Sequence, residues 1–268
     1  QAAAIIAGPG LTSRVHLSLS CKGLTNLDRE SLSDPFVVVS TKSGEESTWS
    51  EIGRTEVVAN NLNPEFVTLI LVTFRFEETQ LLQLHIYNVA GSFQSSDASG
   101  LVLGDQASQG TAECALASIM GAQGQTYTQA LESPYLPGQR ATITVRAEQA
   151  VESSDLVKFE LAAKCGATNS SMAFTRFSRT SEQGDPLPCF KTEVVEGVSG
   201  EYKWRESKVG LPILANGDLY RPLLVEVFEY NRSGSHTVLG SCKLSVNDMM
   251  TRAGSGRAFP LAGGEGEL

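Results

Sequence analysis

The sequence lacks the features that mark membrane-spanning and disulfide-bonded proteins. No run approaches the roughly 18 apolar residues of a membrane span. The opening QAAAIIAGPG has neither the basic start nor the apolar length of a secretory signal. The five cysteines are scattered and form no CxxC pair, so we expect reduced, buried thiols in a cytoplasmic protein rather than a zinc site or disulfides. The chain also lacks an initiator methionine, and we expect it to be a fragment.

Positive charge is scarce. Lysine and arginine number 21 against 30 aspartates and glutamates, and the net charge is −9. The imbalance is concentrated in residues 1–150, which carry −7, whereas residues 151–268 carry −2. Without clusters of basic residues, nucleic acid is excluded as a partner. Simple electrostatic adhesion to anionic lipid is also excluded, unless bound cations reverse the local sign.

Signs of catalysis are missing as well. The three histidines are isolated, and no GxSxG, P-loop or HExxH motif occurs. His16 and His85 fall on the polar faces of alternating segments, so we expect both to be exposed to solvent. We expect no catalytic residues and no enzyme activity.

Alternation of apolar and polar residues is the dominant pattern. It is clearest in VHLSLSCKG, LLQLHIYNV and VKFELAAKC, and turn sequences such as NNLNPE and SEQGDPLP separate the segments. This period of two is typical of strands with one buried and one wet face. No long helical period competes with it. The sequence therefore predicts an all-β protein of the sandwich type.

The chain also contains an internal repeat. TEVV occurs at 55–58 and again at 192–195, an offset of 137 residues. The strands that begin at Val15 and Val157 are 142 residues apart, and those ending at Tyr87 and Phe228 are 141 apart. Such a unit is too long for a solenoid repeat and suits a β-sandwich domain. We predict two domains, at residues 11–150 and 151–268.

The motifs resemble those of a known family. LSCKGLTNLDRESLSDPFVVVSTK, EIGRTEVVANNLNPEF and a strand ending in HIYNV resemble the first C2 domain of the copines. TITVRAEQAVESSDLVKFELAAK, FSRTSEQGDPLPCFKTEVV and LLVEVFEYNRSGSHTVLGSCKLSVNDM resemble the second. The resemblance implies two eight-stranded antiparallel sandwiches whose loops bind calcium and membrane phospholipid. The von Willebrand A-type domain that follows in copines has no counterpart in this sequence.

The resemblance implies a calcium site in the first domain, of which one half is kept. The first loop retains both aspartates of the family pattern, Asp28 and Asp34. In the third loop Asn88 and Ala90 stand where two acids belong, and Ala107 replaces a third. Asn88 still offers a carbonyl oxygen.

Two further acids, Asp97 and Asp105, lie in the same long loop as Asn88. They either bend inward as substitute ligands or belong to a solvated acidic loop. For Asp34 two interpretations stay open: it is half of a weak calcium site, or it caps the turn into PFVVV.

The second domain retains still fewer acids at the family's calcium positions. Its first loop, CGATNSSMAFTRF, has no acid, and Met172 stands near the second aspartate position. We therefore expect this domain to be silent towards calcium. It offers instead a candidate lipid-binding set on or beside strands: Lys191, Lys203, Trp204, Arg205 and Lys208. Because glutamates alternate with these bases, a solvated face of mixed charge is the alternative.

These inferences give two hypotheses. In the first, the chain is a copine-like cytoplasmic module that associates with anionic phospholipid at the plasma membrane, assisted by weak calcium binding in the first domain. In the second, it is a calcium-independent scaffold that binds protein partners, which the sequence does not identify.

Overall fold

The computed structural model describes residues 12–44, 48–90, 95–133, 136–138, 140–166, 171–181, 183–252, 257–263 and 266–268. The first half forms a sandwich of two four-stranded antiparallel sheets, in the orders β4-β1-β8-β7 and β3-β2-β5-β6. Its strands are β1 (Thr12–Lys22), β2 (Pro35–Ser43), β3 (Ser50–Arg54), β4 (Ile70–Arg75), β5 (Gln80–Asn88), β6 (Ala107–Ala115), β7 (Thr126–Ala130) and β8 (Thr142–Gln149). A short helix α1 (Leu116–Gly121) follows β6, and 3₁₀ turns occupy Leu103–Asp105 and Gln123–Gln125.

The second half forms another antiparallel sandwich. One face is the sheet β12-β11-β16-β17, with β13 added to β11, and the other face consists of β14-β10-β18 and β15-β9. The strands are β9 (Leu156–Phe159), β10 (Ala162–Cys165), β11 (Met172–Thr180), β12 (Pro186–Lys191), β13 (Val195–Glu196), β14 (Glu201–Lys203), β15 (Ser207–Gly210), β16 (Leu223–Glu229), β17 (Thr237–Leu244) and β18 (Gly266–Glu267). Two helices are present, α2 (Leu211–Ala215) and α3 (Val246–Arg252).

The predicted all-β sandwich fold is confirmed. Strand β5 alternates buried and half-buried side chains along its whole length, as the period of two requires. Each half has its own core of buried apolar side chains. All five cysteines are free thiols and buried, as expected from their scatter. Within the described residues no helix is long and apolar enough to cross a bilayer.

The segment VKFELAAKC, predicted as one strand, is divided in the structure. β9 ends at Phe159 and pairs with β15, whereas β10 begins at Ala162 and pairs with β14 and β18. The alternation of side chains nevertheless continues through the break: Val157 and Leu161 face the core and Lys158 faces solvent. The pattern therefore predicted the faces correctly but not the interruption of the ladder.

The internal repeat is confirmed by matching hydrogen bonds. In the first domain the Val37 N–H donates to the Thr55 hydroxyl at 2.9 Å, and that hydroxyl donates to a backbone carbonyl one residue on. In the second domain the Thr175 N–H donates to the Thr192 hydroxyl at 2.8 Å in the same pattern. The threonines of the two TEVV segments therefore have the same structural role, because each accepts a hydrogen bond from a backbone N–H that is buried away from water.

Charged side chains join the two domains. The Glu148 carboxylate on β8 forms ion pairs with Arg179 on β11, at 2.5 Å, and with Arg221, at 2.6 Å. The Arg179 side chain is fully buried, and it also donates to the Pro212 carbonyl in α2. A further ion pair joins Arg146 to Asp185 at 2.9 Å. The outer face of the β1–β8 sheet is therefore covered by the second domain in this region.

The expectation that His16 is exposed is wrong for this reason. His16 lies on the outer face of β1, but it is only 4% exposed because the second domain packs over it. Burial lowers the pKa of His16 to about 4, with smaller lowering by Arg179 and Arg14 and an opposing effect of Glu148. His85, on β5, is half-buried and hydrogen bonds to Ser108 and Tyr87.

The burial of neutral His16 predicts a loss of stability in mild acid. The unfolded chain binds a proton near pH 6.5 and the folded chain near 4, so stability is lost as pH falls between these values. Between pH 7 and 5 this costs about 1.5–2 kcal/mol. We expect urea unfolding of a His16→Gln variant to be less sensitive to this pH change by that amount. An equal pH dependence in both proteins would contradict the prediction.

Candidate functional site

The two aspartates of the first loop come together at one end of the first sandwich. Asp34 precedes β2 and is 4% exposed, whereas Asp28 is half-buried in the loop before it. Burial raises the pKa of the Asp34 carboxyl; an N–H from Asn60 opposes this and nearby Asp28 adds to it. The structure therefore places two carboxylates close together, as a cation site requires.

The Asn88 side chain lies between these two residues. Its carbonyl oxygen accepts a hydrogen bond from the Asp34 backbone N–H at 2.7 Å, and its NH₂ group donates to Asp28 Oδ1 at 2.8 Å. Asn88 is the last residue of β5 and is 3% exposed, so the amide is held firmly. Its carbonyl oxygen, which we expected to be a metal ligand, already accepts the hydrogen bond from Asp34. Its NH₂ group donates to a carboxylate oxygen that a cation would also need.

The contacts of Asn60 with Asp34 and with the second domain were not predicted from the sequence. Its backbone N–H donates to Asp34 Oδ1 at 2.7 Å, and its side-chain NH₂ donates to the Arg232 carbonyl of the second domain at 2.9 Å. Its backbone is left-handed, with φ 53°, a conformation that asparagine tolerates better than most residues. The NNLNPE turn was the available signal for this conformation, but no local pattern indicates the partner across the domains.

The other proposed metal ligands do not join the pair. Asp97 is exposed, and its carboxylate accepts the Ser99 N–H within its own turn. Asp105 is exposed at the end of a 3₁₀ turn. Ala107 lies opposite Asn88 in the β5–β6 ladder and offers no ligand. In the described part of the chain no group of three or more His, Cys, Asp or Glu is placed to hold a metal ion.

The donor set therefore fits calcium only in part. Calcium takes six to eight oxygen ligands, mostly from several loops. Here one loop supplies two carboxylates, Asp34 Oδ1 and Asp28 Oδ1 already accept hydrogen bonds, and the third loop presents an amide N–H. One oxygen of each aspartate therefore has a hydrogen-bond donor without a cation.

Among the residues that the structure describes, the corresponding end of the second domain has no such pair of aspartates. The backbone bond from Tyr230 N–H to the Met172 carbonyl matches that from Val89 to Asp34, so Met172 occupies the position of Asp34. Glu229 likewise takes the position of Asn88, and it lies opposite Thr237 in the β16–β17 ladder. The first loop of this domain, at 167–170, lies outside the described residues.

The proposed lipid-binding residues are divided between the two faces of the sandwich. Lys191 lies on β12, whereas Lys203 and Lys208 lie on β14 and β15 of the opposite face and are exposed, as is Arg205 between them. Trp204 requires a correction: it is 2% exposed, because its ring belongs to the core of the second domain beside Tyr202. It does not lie on a lipid-facing surface in this structure.

Lys191 lies close to an acidic side chain of the first domain. Its ammonium group lies 4.9 Å from the centre of the Phe174 ring. Burial lowers the pKa of Lys191, and the nearby first-domain Glu56 opposes this. Beside it, Arg176 pairs with Glu65 of the first domain at 3.0 Å and with Glu226 at 2.9 Å. The charges around Lys191 and Arg176 are therefore largely compensated by acids, two of them from the first domain.

Comparison with known proteins identifies the fold of both halves of the chain. The sequence model described as "C2 domain" matches residues 14–125 and 160–261. The chain belongs to the C2 domain family. It is 31% identical over 271 aligned residues to Protein BONZAI 1 and 30% identical over 263 to Protein BONZAI 2, both from Arabidopsis thaliana. These alignments cover 96% and 94% of the chain but only 46% and 44% of the relatives, so the chain spans less than half of their length.

Among solved structures, this tandem of C2 domains is similar to one titled "Extended-Synaptotagmin 2, C2A- and C2B-domains, calcium bound". Sequence identity is 13%, the TM-score is 0.37, and the match covers 95% of this chain and 93% of that one. The structure titled "BON1-C2B" matches with 22% identity and a TM-score of 0.35, covering 43% of this chain and 85% of that one.

The hydrogen bonds of the Asn88 amide allow us to predict the effect of placing an acid at this position of the loop end. Asn88→Asp removes the N–H that Asp28 accepts and adds a third carboxylate, so the calcium-free protein should lose about 1–3 kcal/mol. Calcium at about 100 times its Kd would return about 2.7 kcal/mol. Thermal unfolding with calcium and with chelator measures both effects. Asn247→Asp, in α3 of the second domain, is the matched control. If calcium stabilises the Asn88→Asp variant no more than the wild type, the three positions do not form one site.

Proposed function

We propose that this chain is a copine-like tandem C2 module that associates peripherally with anionic phospholipid, at the cytoplasmic face of the plasma membrane. The observation that carries the proposal is the pair of adjacent carboxylates, Asp28 and Asp34, at the loop end of a domain of the C2 family. The role is non-catalytic: binding, rather than chemistry, is what two carboxylates and an amide at a loop end support.

Calcium assists this association weakly and through the first domain. Asp28 and Asp34 would hold the ion, and it would supply positive charge at an acidic loop end that lipid phosphates can complete. With two carboxylates, the expected Kd is about 10⁻⁴–10⁻³ M, as for charge-poor calcium modules. The second domain contributes no calcium site, since Met172 stands in the position of Asp34.

The second candidate function is a calcium-independent scaffold for protein partners. It is favoured by the Asn88 amide, which satisfies Asp28 without a cation. The acids around Lys191 and Arg176 favour it as well, because they leave little net positive charge on that face for lipid.

Co-sedimentation with phosphatidylserine vesicles separates the two functions. We expect binding in millimolar calcium and its loss in chelator. Asp34→Asn should weaken the calcium-dependent part at least several-fold, because the amide keeps the hydrogen bond from Asn60 but removes the charge. Asp155→Asn, at an exposed position before β9, is the control. Binding that is equal in calcium and chelator would remove calcium from the proposal. No binding in either condition would contradict membrane association and leave the scaffold.

A further inference from the structure

The loop at residues 231–236 of the second domain is closed by its own hydrogen bonds. The Asn231 side-chain oxygen accepts hydrogen bonds from the N–H and the hydroxyl of Ser233, each at 2.9 Å. The Asn231 carbonyl accepts the Gly234 N–H, and the Asn231 N–H donates to His236 Nδ1 at 3.1 Å. These bonds give the loop a defined shape, which it presents to the first domain.

This loop packs directly against the turn at Asn60 in the first domain. The Asn60 side-chain NH₂ group donates to the Arg232 carbonyl at 2.9 Å. Gly234 has a left-handed backbone, with φ 83°, and a methyl group at this position would overlap the Asn60 carbonyl oxygen. The backbones of the two domains therefore meet at a point that only glycine fits.

The same turn is bonded to the first loop of its own domain. The Asn60 side-chain oxygen accepts the Leu32 N–H at 3.0 Å, and the Asn60 backbone N–H donates to Asp34 Oδ1 at 2.7 Å. The next residue, Asn61, donates its N–H to the Ser33 carbonyl at 3.0 Å. Three consecutive residues of the first loop are therefore joined to the turn that the second domain contacts.

The Asp34 carboxylate is shared between two demands. It is 4% exposed, and its Oδ1 already accepts the Asn60 N–H. Calcium binds carboxylate oxygens directly, so it competes with this hydrogen bond and favours a more accessible carboxylate. The contact between the loops favours the buried, hydrogen-bonded carboxylate, because it holds Asn60 in place. Two equilibria that oppose each other in this way weaken each other by the same factor.

We propose that the 231–236 loop of the second domain restrains the cation site of the first domain, so that calcium binding at Asp28 and Asp34 opposes the contact between the two loops. This rests on the proposed function, of which weak calcium binding at this site is a part. It gives the second domain a role in calcium binding although Met172 stands where its own aspartate would be. Asn60 is a positioning residue, because it acts on the ion only through Asp34.

A variant that separates the loops should bind calcium more tightly. In Gly234→Ala the added methyl group pushes Asn60 away, and we expect the calcium Kd of the whole chain to fall about fivefold or more, the lower end of typical coupling between sites. Titration with calcium alone, followed by the amide shifts of Asp28 and Asp34, measures this Kd. Gly184→Ala is the matched control, because Gly184 has φ 89° and open space around it.

A second variant loosens the contact without adding bulk. Asn60→Gly keeps the left-handed backbone but removes the side-chain bonds to Leu32 and Arg232, so it should also lower the calcium Kd several-fold. Asn216→Gly is its control: Asn216 is also left-handed, with φ 50°, and it bonds to the Gln149 carbonyl at the end of β8. It should leave the Kd unchanged, because it loosens the domain contact away from Asp34.

Amide hydrogen exchange tests the same contact without calcium. In chelator, the Asn60 and Leu32 amides should exchange several-fold faster in Gly234→Ala than in the wild type, and Gly184→Ala should not change them. In the wild type, calcium should accelerate exchange of the Asn60 amide, because the ion competes for its acceptor. Exchange that is unaffected by Gly234→Ala would overturn the proposal.

The titration has other outcomes that contradict the proposal. An unchanged or weaker calcium affinity in both Gly234→Ala and Asn60→Gly would overturn it, since a weaker affinity means that the turn prepares Asp34 for the ion. An equal gain in Asn216→Gly would also overturn it, by assigning the effect to the whole domain contact. All of these leave calcium-dependent vesicle binding intact, so they are distinguishable from failure of the proposed function. If no variant binds calcium, this proposal and the calcium assistance both fail, whereas calcium-independent association stands.

Discussion

The structure depends on the burial of one face of every sheet against another sheet. Alternating apolar residues on β1, β5 and their neighbours fill each core, and the polar faces would ordinarily be left to water. In this chain part of the polar face of the first domain is also covered, by the second domain. Polar residues there must therefore find partners within the protein. Glu148 does so with two arginines, whereas burial keeps His16 neutral by lowering its pKa. The contact between domains is consequently built on charge and hydrogen bonding rather than on a second apolar core.

A contact of this kind fixes the position of one domain relative to the other more than it increases the free energy of unfolding. A buried ion pair gains little net free energy because both charges lose water, yet removing one partner typically costs about 3–5 kcal/mol. The fully buried Arg179 accordingly ties the position of β11 to that of β8. At the other end of the contact, Asn60 connects the Asp34 carboxylate to the Arg232 carbonyl. The loop end of the first domain is therefore braced by the second domain, and its aspartates are not held by local hydrogen bonds alone.

Much of the fold could be predicted from the sequence, because alternation and the repeated TEVV segments are local signals. The threonines of these segments make equivalent buried hydrogen bonds, which is why this short motif marks the two copies so clearly. The resemblance of their loop to a known family pattern also led us to expect Asp28 beside Asp34. Contacts that depend on another domain or on distant strands gave no such signal. His16 was misplaced for this reason, since the second domain packs over its strand. Trp204 was misplaced despite a local signal, because Tyr202 and Trp204 are buried and alternate with the exposed Lys203 and Arg205.

The two copies show which parts of this fold can change independently. The central ladders, the buried threonines and the stacked rings Phe36–Tyr87 and Phe174–Phe228 are retained in both. They fix the relative positions of the strands, so the loop ends and the strand that corresponds to β1 can vary without loss of the core. At the loop end of the first copy, a neutral amide takes up the carboxylate that a cation would otherwise neutralise. In the second copy, the strand that corresponds to β1 is divided into β9 and β10, and Val157 and Leu161 on it are only half-buried. A fold in which these ladders, threonines and rings are retained can therefore differ between its copies both at a loop end and in the continuity of one strand.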